Sequence, residues 1–289
     1  MACLLVLLAC VPVAAPVVSP AAPDARSVAV SPLPYDSPTR TSTPQPVSAP
    51  QPRAPPTRAF PDPDRTEWPG LVNRFQLRAV VPEVQFAGPV IGFHLDTQRV
   101  TFRVHYTPGE ARRIAEWAAD LSRGGERPLL VFPGGFFTGD NVAFGLLVAD
   151  SQRYSDAYGF GGVFVVQGGQ PDIRWLEPQP VASGEVFEQA VQAFPVYVSR
   201  GVVPPLREHE SRAPRTVIVE TRSGDFVVLI SPTSLFRTIE LARWLIDSDL
   251  DVYNALNLDG GRSAGFWASE DDRFDSVVPL PAVIAVYAK

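Results

Sequence analysis

Residues 255–263 read Ala-Leu-Asn-Leu-Asp-Gly-Gly-Arg-Ser, and this stretch says more about the fold than any other part of the chain. Its first four residues predict a strand that ends where the glycines begin. Because side chains alternate along a strand, Asn257 and Asp259 are predicted to lie on one face. Gly260 and Gly261 allow a tight turn whose N–H groups can point at an anion. The alternative is a simple hairpin corner in which Asp259 is a turn acceptor.

Outward from this stretch, short apolar runs alternate with glycine and proline breaks, which is typical of strands. Such runs lie at residues 80–81, 90–95, 100–106, 129–132, 144–149, 162–167, 194–199, 216–220, 226–230, 255–258 and 282–287. Helical spacing of apolar residues predicts one helix at 109–123 and another within 235–248. The sequence therefore predicts an α+β fold, with a large mixed or antiparallel sheet and a few covering helices.

Proline is distributed unevenly along the 289 residues. Sixteen of the 31 prolines fall in residues 1–70, so this part cannot bury enough apolar surface to fold by itself. Residues 70–289 are predicted to form one globular domain. Acidic and basic residues balance in the first 70, and the net charge of −6 therefore belongs to the domain. An acidic domain binds nucleic acid and anionic lipid poorly, and we expect neither as a partner.

The leading segment has features of an export signal. Residues 4–9 are apolar but too few to span a bilayer, which takes about 20 residues. They end in Leu-Leu-Ala-Cys, which resembles the bacterial lipobox, so Cys10 is a predicted lipidation site. We expect an export signal at residues 1–10 and a proline-rich disordered linker at 11–69. The domain is then extracytoplasmic, in the cell envelope or secreted, and touches a membrane only through a lipid anchor.

The domain lacks the residues of several catalytic classes. It has no cysteine, and its histidines, His94, His105 and His209, are widely spaced. A cysteine nucleophile is excluded, and neither a zinc site nor a serine–histidine triad has support. Carboxylates, arginines, asparagines and glycine turns remain, and these groups act on glycosides and phosphate esters.

Two further segments carry such groups. The residues Gly134-Gly135-Phe136-Phe137 follow a predicted strand and precede Asp140-Asn141. The residues Pro214-Arg215-Thr216 lead into another strand, where Arg215 is either a phosphate clamp or a surface charge.

Taken together, these segments resemble the phosphodiester glycosidases, the family of the lysosomal enzyme that removes N-acetylglucosamine from its phosphodiester link to mannose. The matching pieces occur in the family's order over roughly residues 90–289. They are Gly134 to Phe137, Gly145-Leu146, Phe194 to Val198, Pro214 to Thr216, Glu240-Leu241-Ala242 and Asn257 to Ser263. The chain departs from the family pattern at Pro133, where the family usually has Asn, and at Arg262, where Gly is common.

The resemblance implies hydrolysis of a sugar-1-phosphodiester at the glycosidic C–O bond, in a cell-envelope or extracellular glycan. Asp259 is then the leading catalytic carboxylate, followed by Glu240 and Asp140. Contacts to substrate and phosphate are expected from Arg215, Thr216, Asn257, Gly260, Gly261, Arg262, Ser263, Gly134, Gly135 and Asn141. No cofactor is expected, with a Ca²⁺ ion on Asp259 and Asn257 as the alternative. Because Pro133 lacks the polar side chain, the alternative function is an anchored, inactive module that binds glycan phosphate.

Overall fold

In the computed structural model, which describes residues 72–125, 127–208 and 211–289, the chain is built mainly from antiparallel strands. The export signal, Cys10 and the linker predicted at 11–69 lie outside the described residues. The strands are β1 (Val72–Val81), β2 (Phe86–Leu95), β3 (Val100–Tyr106), β4 (Leu130–Pro133), β5 (Leu147–Ala149), β6 (Gln152–Ser155), β7 (Gly162–Gln167), β8 (Gln170–Trp175), β9 (Gln189–Ala193), β10 (Val196–Val198), β11 (Ala213–Thr221), β12 (Phe226–Phe236), β13 (Val252–Asn257), β14 (Phe266–Trp267), β15 (Arg273–Phe274) and β16 (Ala282–Ala288). The helices are α1 (Ile114–Arg123) and α2 (Thr238–Asp247).

The strands form three sheets, so the prediction of one large sheet is wrong although the α+β class is right. The six-stranded sheet has the order β1-β2-β12-β11-β13-β10. The two five-stranded sheets have the orders β15-β14-β4-β16-β3 and β6-β5-β9-β7-β8. Strands β1 and β2 pair with each other, but the next strand, β3, lies in another sheet and pairs with β16 over its whole length. Three sheets can surround one core, which a single sheet of this many strands could not enclose.

The main core lies where the three sheets meet. Phe102 on β3, Phe164 on β7 and Phe226 on β12 each come from a different sheet. Their ring centroids lie 5.3, 5.6 and 5.9 Å apart in the three pairs, with tilted or edge-on geometry. These distances fall within the favourable range for aromatic pairs. All three rings are buried, so this cluster joins the sheets at the centre of the domain.

Each helix covers the outer face of a sheet. Leu241 and Leu245 of α2 pack in one apolar cluster with Val217 and Val219 of the six-stranded sheet. Helix α1 packs Ile114 against the sheet that contains β4 and β16. Neither helix of the described residues is long and apolar enough to cross a membrane.

Helix α1 begins five residues later than the sequence predicts. The apolar spacing is continuous from residue 111, but the backbone of Arg112 is already paired with Leu280, through hydrogen bonds of 3.0 and 2.7 Å. Gly109 has a φ of +75°, which is outside the right-handed helical region. The first residues of the predicted helix therefore form a loop that is hydrogen-bonded to Leu280, close to the C-terminal strand β16.

Candidate active site

A cavity of about 730 Å³ opens beside the end of β13. Its volume lies in the range of small-molecule sites, which is about 300–1,000 Å³. Strand β11 contributes Arg215, and the segment after β13 contributes Asp259 and the two glycines that follow it. Asn257, the last residue of β13, also lines the cavity. The structure therefore brings together the two polar groups predicted on one strand face and the arginine of a second segment.

Asn257 is held in a fixed orientation. It is 3% exposed, and its Oδ1 accepts a hydrogen bond of 3.0 Å from the hydroxyl of Tyr197. Its Nδ2 donates to the carbonyl of Phe194 at 2.8 Å. Burial raises the pKa of Tyr197 to about 12, although the positive charge of Arg215 acts in the opposite direction. Tyr197 therefore stays protonated at neutral pH, and the second N–H of the Asn257 amide remains for a ligand.

Asp259 is a buried carboxylate with a raised pKa. It is 9% exposed, and burial raises its pKa from 3.8 to about 6. Hydrogen bonds from the Ser263 side chain and from the Gly260 N–H lower the pKa and offset part of the effect of burial. A pKa near the working pH suits a group that must both accept and release a proton.

The two glycines after Asp259 shape the loop. A Cβ on Gly260 would lie 2.9 Å from the carbonyl oxygen of Pro214, so only glycine allows this close approach to β11. Gly261 has a φ of +59° and starts the 3-10 turn Gly261–Ser263, which brings Ser263 back to Asp259. The Gly260 N–H donates to Asp259 Oδ1 at 2.9 Å. This N–H therefore already holds the carboxylate, and a contact of Gly260 with the substrate stays a prediction.

Among the described residues, Arg215 has no partner for its charge in the cavity. Its Nε is buried and makes no hydrogen bond, and no carboxylate of the described residues forms an ion pair with it. A buried guanidinium N–H without an acceptor is energetically costly unless a ligand supplies one. The forked donors of arginine match the oxygens of a phosphate. This environment favours the phosphate clamp over the surface charge.

The cavity also contains residues that no sequence motif indicated. Glu177 is a second carboxylate in the lining and accepts a hydrogen bond of 3.2 Å from the Gly161 N–H. Arg207 adds an exposed cation, and Trp175 adds an indole. These residues come from the loops after β8 and β10 and from the end of β8, where the local sequence has no recognisable signature. Phe136, Phe160 and Phe194 complete an aromatic side of the cavity.

Several predicted contact residues lie next to the cavity without lining it. Thr216 is fully buried, and its hydroxyl has no hydrogen-bond partner among the described residues. Ser263 contacts Asp259 and has the role of holding that carboxylate. Arg262 is exposed, and its carbonyl accepts hydrogen bonds from the N–H groups of residues 277 and 278. These three side chains are therefore not part of the cavity lining.

Gly134 and Gly135 serve packing. The Gly134 N–H donates to Ala282 at 3.2 Å, and its carbonyl accepts from the Asp259 N–H at 3.0 Å. The Gly134 N–H therefore already has a backbone partner, and its contact with a substrate stays a prediction. A Cβ on Gly135 would lie 2.5 Å from the carbonyl oxygen of Gln192, so this position also requires glycine. Gly134 contributes to the site through its carbonyl, which fixes the backbone of Asp259.

The other two predicted carboxylates are not in the cavity lining. Asp140 is exposed and Asn141 is half-buried in a turn, in which the Asn141 N–H donates to the Thr138 carbonyl at 3.0 Å. Glu240 accepts both guanidinium nitrogens of Arg212 and also the Arg237 N–H at 2.8 Å, which caps α2. A carboxylate saturated in this way is committed to structure, so its predicted catalytic role loses support.

The oxygens near Asp259 fit a Ca²⁺ ion poorly. Such an ion takes about six to eight oxygen ligands. Asn257 Oδ1 already accepts from Tyr197, and Asp259 Oδ1 accepts from Gly260. Within residues 72–125, 127–208 and 211–289, no three His, Cys, Asp or Glu side chains are grouped so that they could hold a metal.

Comparison with known proteins agrees with the predicted family. Residues 129–287, more than half of the chain, match the model of the phosphodiester glycosidases. The chain belongs to the phosphodiester glycosidase family. The matched range contains Arg215 and the whole 255–263 stretch. No curated protein matches this chain by sequence.

Two solved structures have the same fold. One is the catalytic domain of zebrafish N-acetylglucosamine-1-phosphodiester alpha-N-acetylglucosaminidase, auto-inhibited by its pro-peptide. The match has a TM-score of 0.59 and 15% identity, and covers 76% of this chain and 84% of the zebrafish chain. The other is a hypothetical protein from Synechocystis, with a TM-score of 0.60 and 15% identity over 80% of this chain and 64% of that one.

Proposed function

We propose that this member of the family is a hydrolase that cleaves a sugar-1-phosphodiester at the glycosidic C–O bond. One observation carries the proposal: an arginine Nε that is buried without a partner among the described residues and a carboxylate with a pKa of about 6 line the same cavity. The arginine fits the phosphate, and the carboxylate fits proton transfer at the neighbouring carbon.

Arg215 would bind the phosphodiester and stabilise the charge that develops on the departing phosphate. Because its Nε is already desolvated, the interaction with phosphate oxygens is stronger than it would be in water. Arg207, on the exposed part of the lining, adds a second positive charge. The aromatic side, which includes Phe194, suits the apolar face of a sugar ring.

Asp259 would be the general base that activates a water molecule for attack on the sugar. In its ionised form it accepts a proton from a water molecule while the oxygen of that water bonds to the sugar C1 carbon. The C1–O bond breaks, the phosphate monoester leaves with the bonding electron pair, and Asp259 then releases the proton to solvent. Phosphate is a good leaving group, so the reaction needs less help from a general acid than an ordinary glycoside does. Glu177, which lines the same cavity, would be the second carboxylate of the pair that glycosidases use around the anomeric carbon.

The substrate would be a glycan of the cell envelope or the extracellular space. Support for this location comes from the apolar segment, Cys10 and the proline-rich residues 11–69. A flexible linker of this length reaches some 40 Å, at about 5–6 Å times the square root of the residue number. That reach would let an anchored domain act on polymers near a membrane surface.

A release assay tests the proposal. Purified protein is incubated with the methyl diesters of N-acetylglucosamine-, glucose-, galactose- and mannose-1-phosphate, and free sugar and methyl phosphate are measured together. We expect both products in equal amounts from at least one diester, and loss of both with Asp259→Asn. Binding in a thermal-shift assay without release would favour the inactive binding module. In that case the departure at Pro133 is the first to reverse, by Pro133→Asn. Neither binding nor release would contradict both functions.

A further inference from the structure

A second cavity of about 560 Å³ shares Trp175 with the candidate active site. It lies between β8, the turn after β10 and the strand β13. Its polar lining comes from Asp172, Gln179, Ser199, Arg200, Tyr253 and Asn254. None of these residues has a part in the proposed hydrolysis, so the second cavity needs a separate explanation.

The lining of the second cavity suits an uncharged sugar. Trp175 and Tyr253 supply aromatic rings, and the amide and hydroxyl groups around them can bind sugar hydroxyls. The electrostatics differ from those of the first cavity. Arg200 is the one cation of this lining, and Asp172 supplies a negative charge. Burial raises the pKa of Glu220 and the charge of Asp172 raises it further, although a hydrogen bond from the neighbouring Asn254 opposes both. Asp172 and Glu220 offset the positive charges of Arg200 and of Arg222 beside Tyr253, so this cavity has no excess of positive charge for a second phosphate.

The wall made by the turn after β10 is already ordered. Arg200 has a φ of +52°, which is uncommon for a residue other than glycine. The Asn254 Oδ1 holds this conformation by accepting the Arg200 N–H at 2.9 Å, and Asn254 Nδ2 donates to Glu220 at 2.6 Å. On the other side, the guanidinium of Arg222 lies 5.7 Å from the ring centroid of Tyr253. A wall fixed in advance costs little further ordering when a ligand binds.

We propose that the second cavity binds a further, uncharged saccharide unit of the substrate whose phosphodiester lies in the first cavity. The inference rests on the proposed function, because it assigns the two cavities to one molecule. The shared Trp175 places them side by side, so a glycan can extend from one into the other. The substrate class is then an oligosaccharide or polysaccharide phosphodiester, and a small sugar phosphodiester fills only part of the site.

Substrate length gives the first test. The methyl diesters of the release assay are compared with diesters in which mannotriose replaces the methyl group, and with methyl diesters of chitotriose-1-phosphate. The first series extends the substrate beyond the phosphate, and the second extends it beyond the cleaved sugar. We expect kcat/KM to rise about tenfold or more in one of the two series, mainly through a lower KM. Equal kcat/KM for short and long substrates would overturn the proposal.

Variants of the second cavity give the second test. Tyr253→Ala should abolish the advantage of the longer substrate and leave kcat/KM for the methyl diester unchanged. Gln179→Ala, at an exposed position, should act in the same direction if Tyr253→Ala does not fold. Tyr154→Ala is the matched control, because this tyrosine is 38% exposed and lines neither cavity. An equal loss on short and long substrates would contradict a role in the second cavity alone.

Direct binding separates this proposal from the proposed function. Mannotriose and chitotriose, which carry no phosphate, are titrated into the full chain by calorimetry. Binding that Tyr253→Ala removes, in a protein that cleaves no diester, would support the saccharide site and reject the hydrolase. Cleavage of methyl diesters with neither a length effect nor trisaccharide binding would reject the saccharide site and leave the hydrolase in place. Absence of binding, cleavage and length effect would reject both.

Discussion

Replacing Asp259 with Asn should make the domain more stable while it abolishes turnover. Asp259 is buried, and its pKa is raised from 3.8 to about 6. At pH 7 the folded protein therefore carries an anion where burial disfavours it, at a cost of about 3 kcal/mol relative to the unfolded chain. Asn cannot ionise, and its side-chain oxygen can still accept the Gly260 N–H. We expect the variant to gain up to about 3 kcal/mol in the free energy of unfolding at pH 7.

The gain should depend on pH in a defined direction. Because the pKa of Asp259 is raised, between about pH 4 and pH 6 the folded state keeps a proton that the unfolded state has already released. Native Asp259 is then progressively less destabilising as the pH falls, and the advantage of Asp259→Asn should disappear near pH 4. Urea unfolding followed by tryptophan fluorescence at pH 7 and pH 4 measures both free energies. Asp271→Asn, which removes an exposed carboxylate, is the control and should change neither.

Two results would refute this reasoning. A variant less stable than the native chain at pH 7, or one with the same gain at pH 7 and pH 4, would show that the pKa of Asp259 is not raised. Turnover close to that of the native chain would remove Asp259 from the chemistry, whatever its effect on stability.

Three further predictions concern the neighbouring groups. If Asp259 is the base, kcat/KM should fall tenfold per pH unit below about pH 6. Ser263→Ala should move this acidic limb of the pH profile to higher pH, because the hydrogen bond from Ser263 lowers the pKa of Asp259. An acidic limb near pH 4 would count against this role. Arg215→Ala should lower kcat/KM by about 10–100-fold without loss of stability, since a lost charged hydrogen bond is worth about 1.5–3 kcal/mol. Arg215→Lys should recover part of the lost kcat/KM. Unchanged kinetics in Arg215→Ala would contradict the role of Arg215 in phosphate binding. Glu240→Gln should lower the free energy of unfolding by about 1–3 kcal/mol, because it weakens the interaction with Arg212. The folded fraction should keep its kcat. A large loss of kcat at unchanged stability would restore the catalytic role of Glu240.

The sequence predicts individual strands better than their pairing. Strand β7 (Gly162–Gln167) has the predicted bounds, because its short, continuous run of buried apolar residues is typical of a buried strand. The pairing of β3 with β16, about 180 residues away, has no local signal. For the same reason the sequence does not predict β14 and β15. These strands have two residues each, and their strand geometry comes from pairing with neighbouring strands. Partition into three sheets is therefore a property of tertiary packing.

The site divides in a similar way. The 255–263 stretch reveals Asn257 and Asp259, because a polar pair at a strand end before two glycines is visible locally. Glu177 stays hidden, since only the β7–β8 hairpin brings it to the cavity. The sequence also predicts substrate contacts for the glycines. It shows where the backbone can turn tightly, but the existing partners of the Gly134 and Gly260 N–H groups can be seen only in the structure.

The central claim, hydrolysis between the sugar carbon and oxygen, is tested most directly by the position of oxygen from solvent. A methyl diester that the protein cleaves is hydrolysed in water enriched in ¹⁸O, and the methyl phosphate product is analysed by mass spectrometry. Attack on the sugar carbon leaves the methyl phosphate with none of the heavy oxygen, which enters the sugar hydroxyl instead. Methyl phosphate that carries one ¹⁸O atom would show attack on phosphorus and contradict the account.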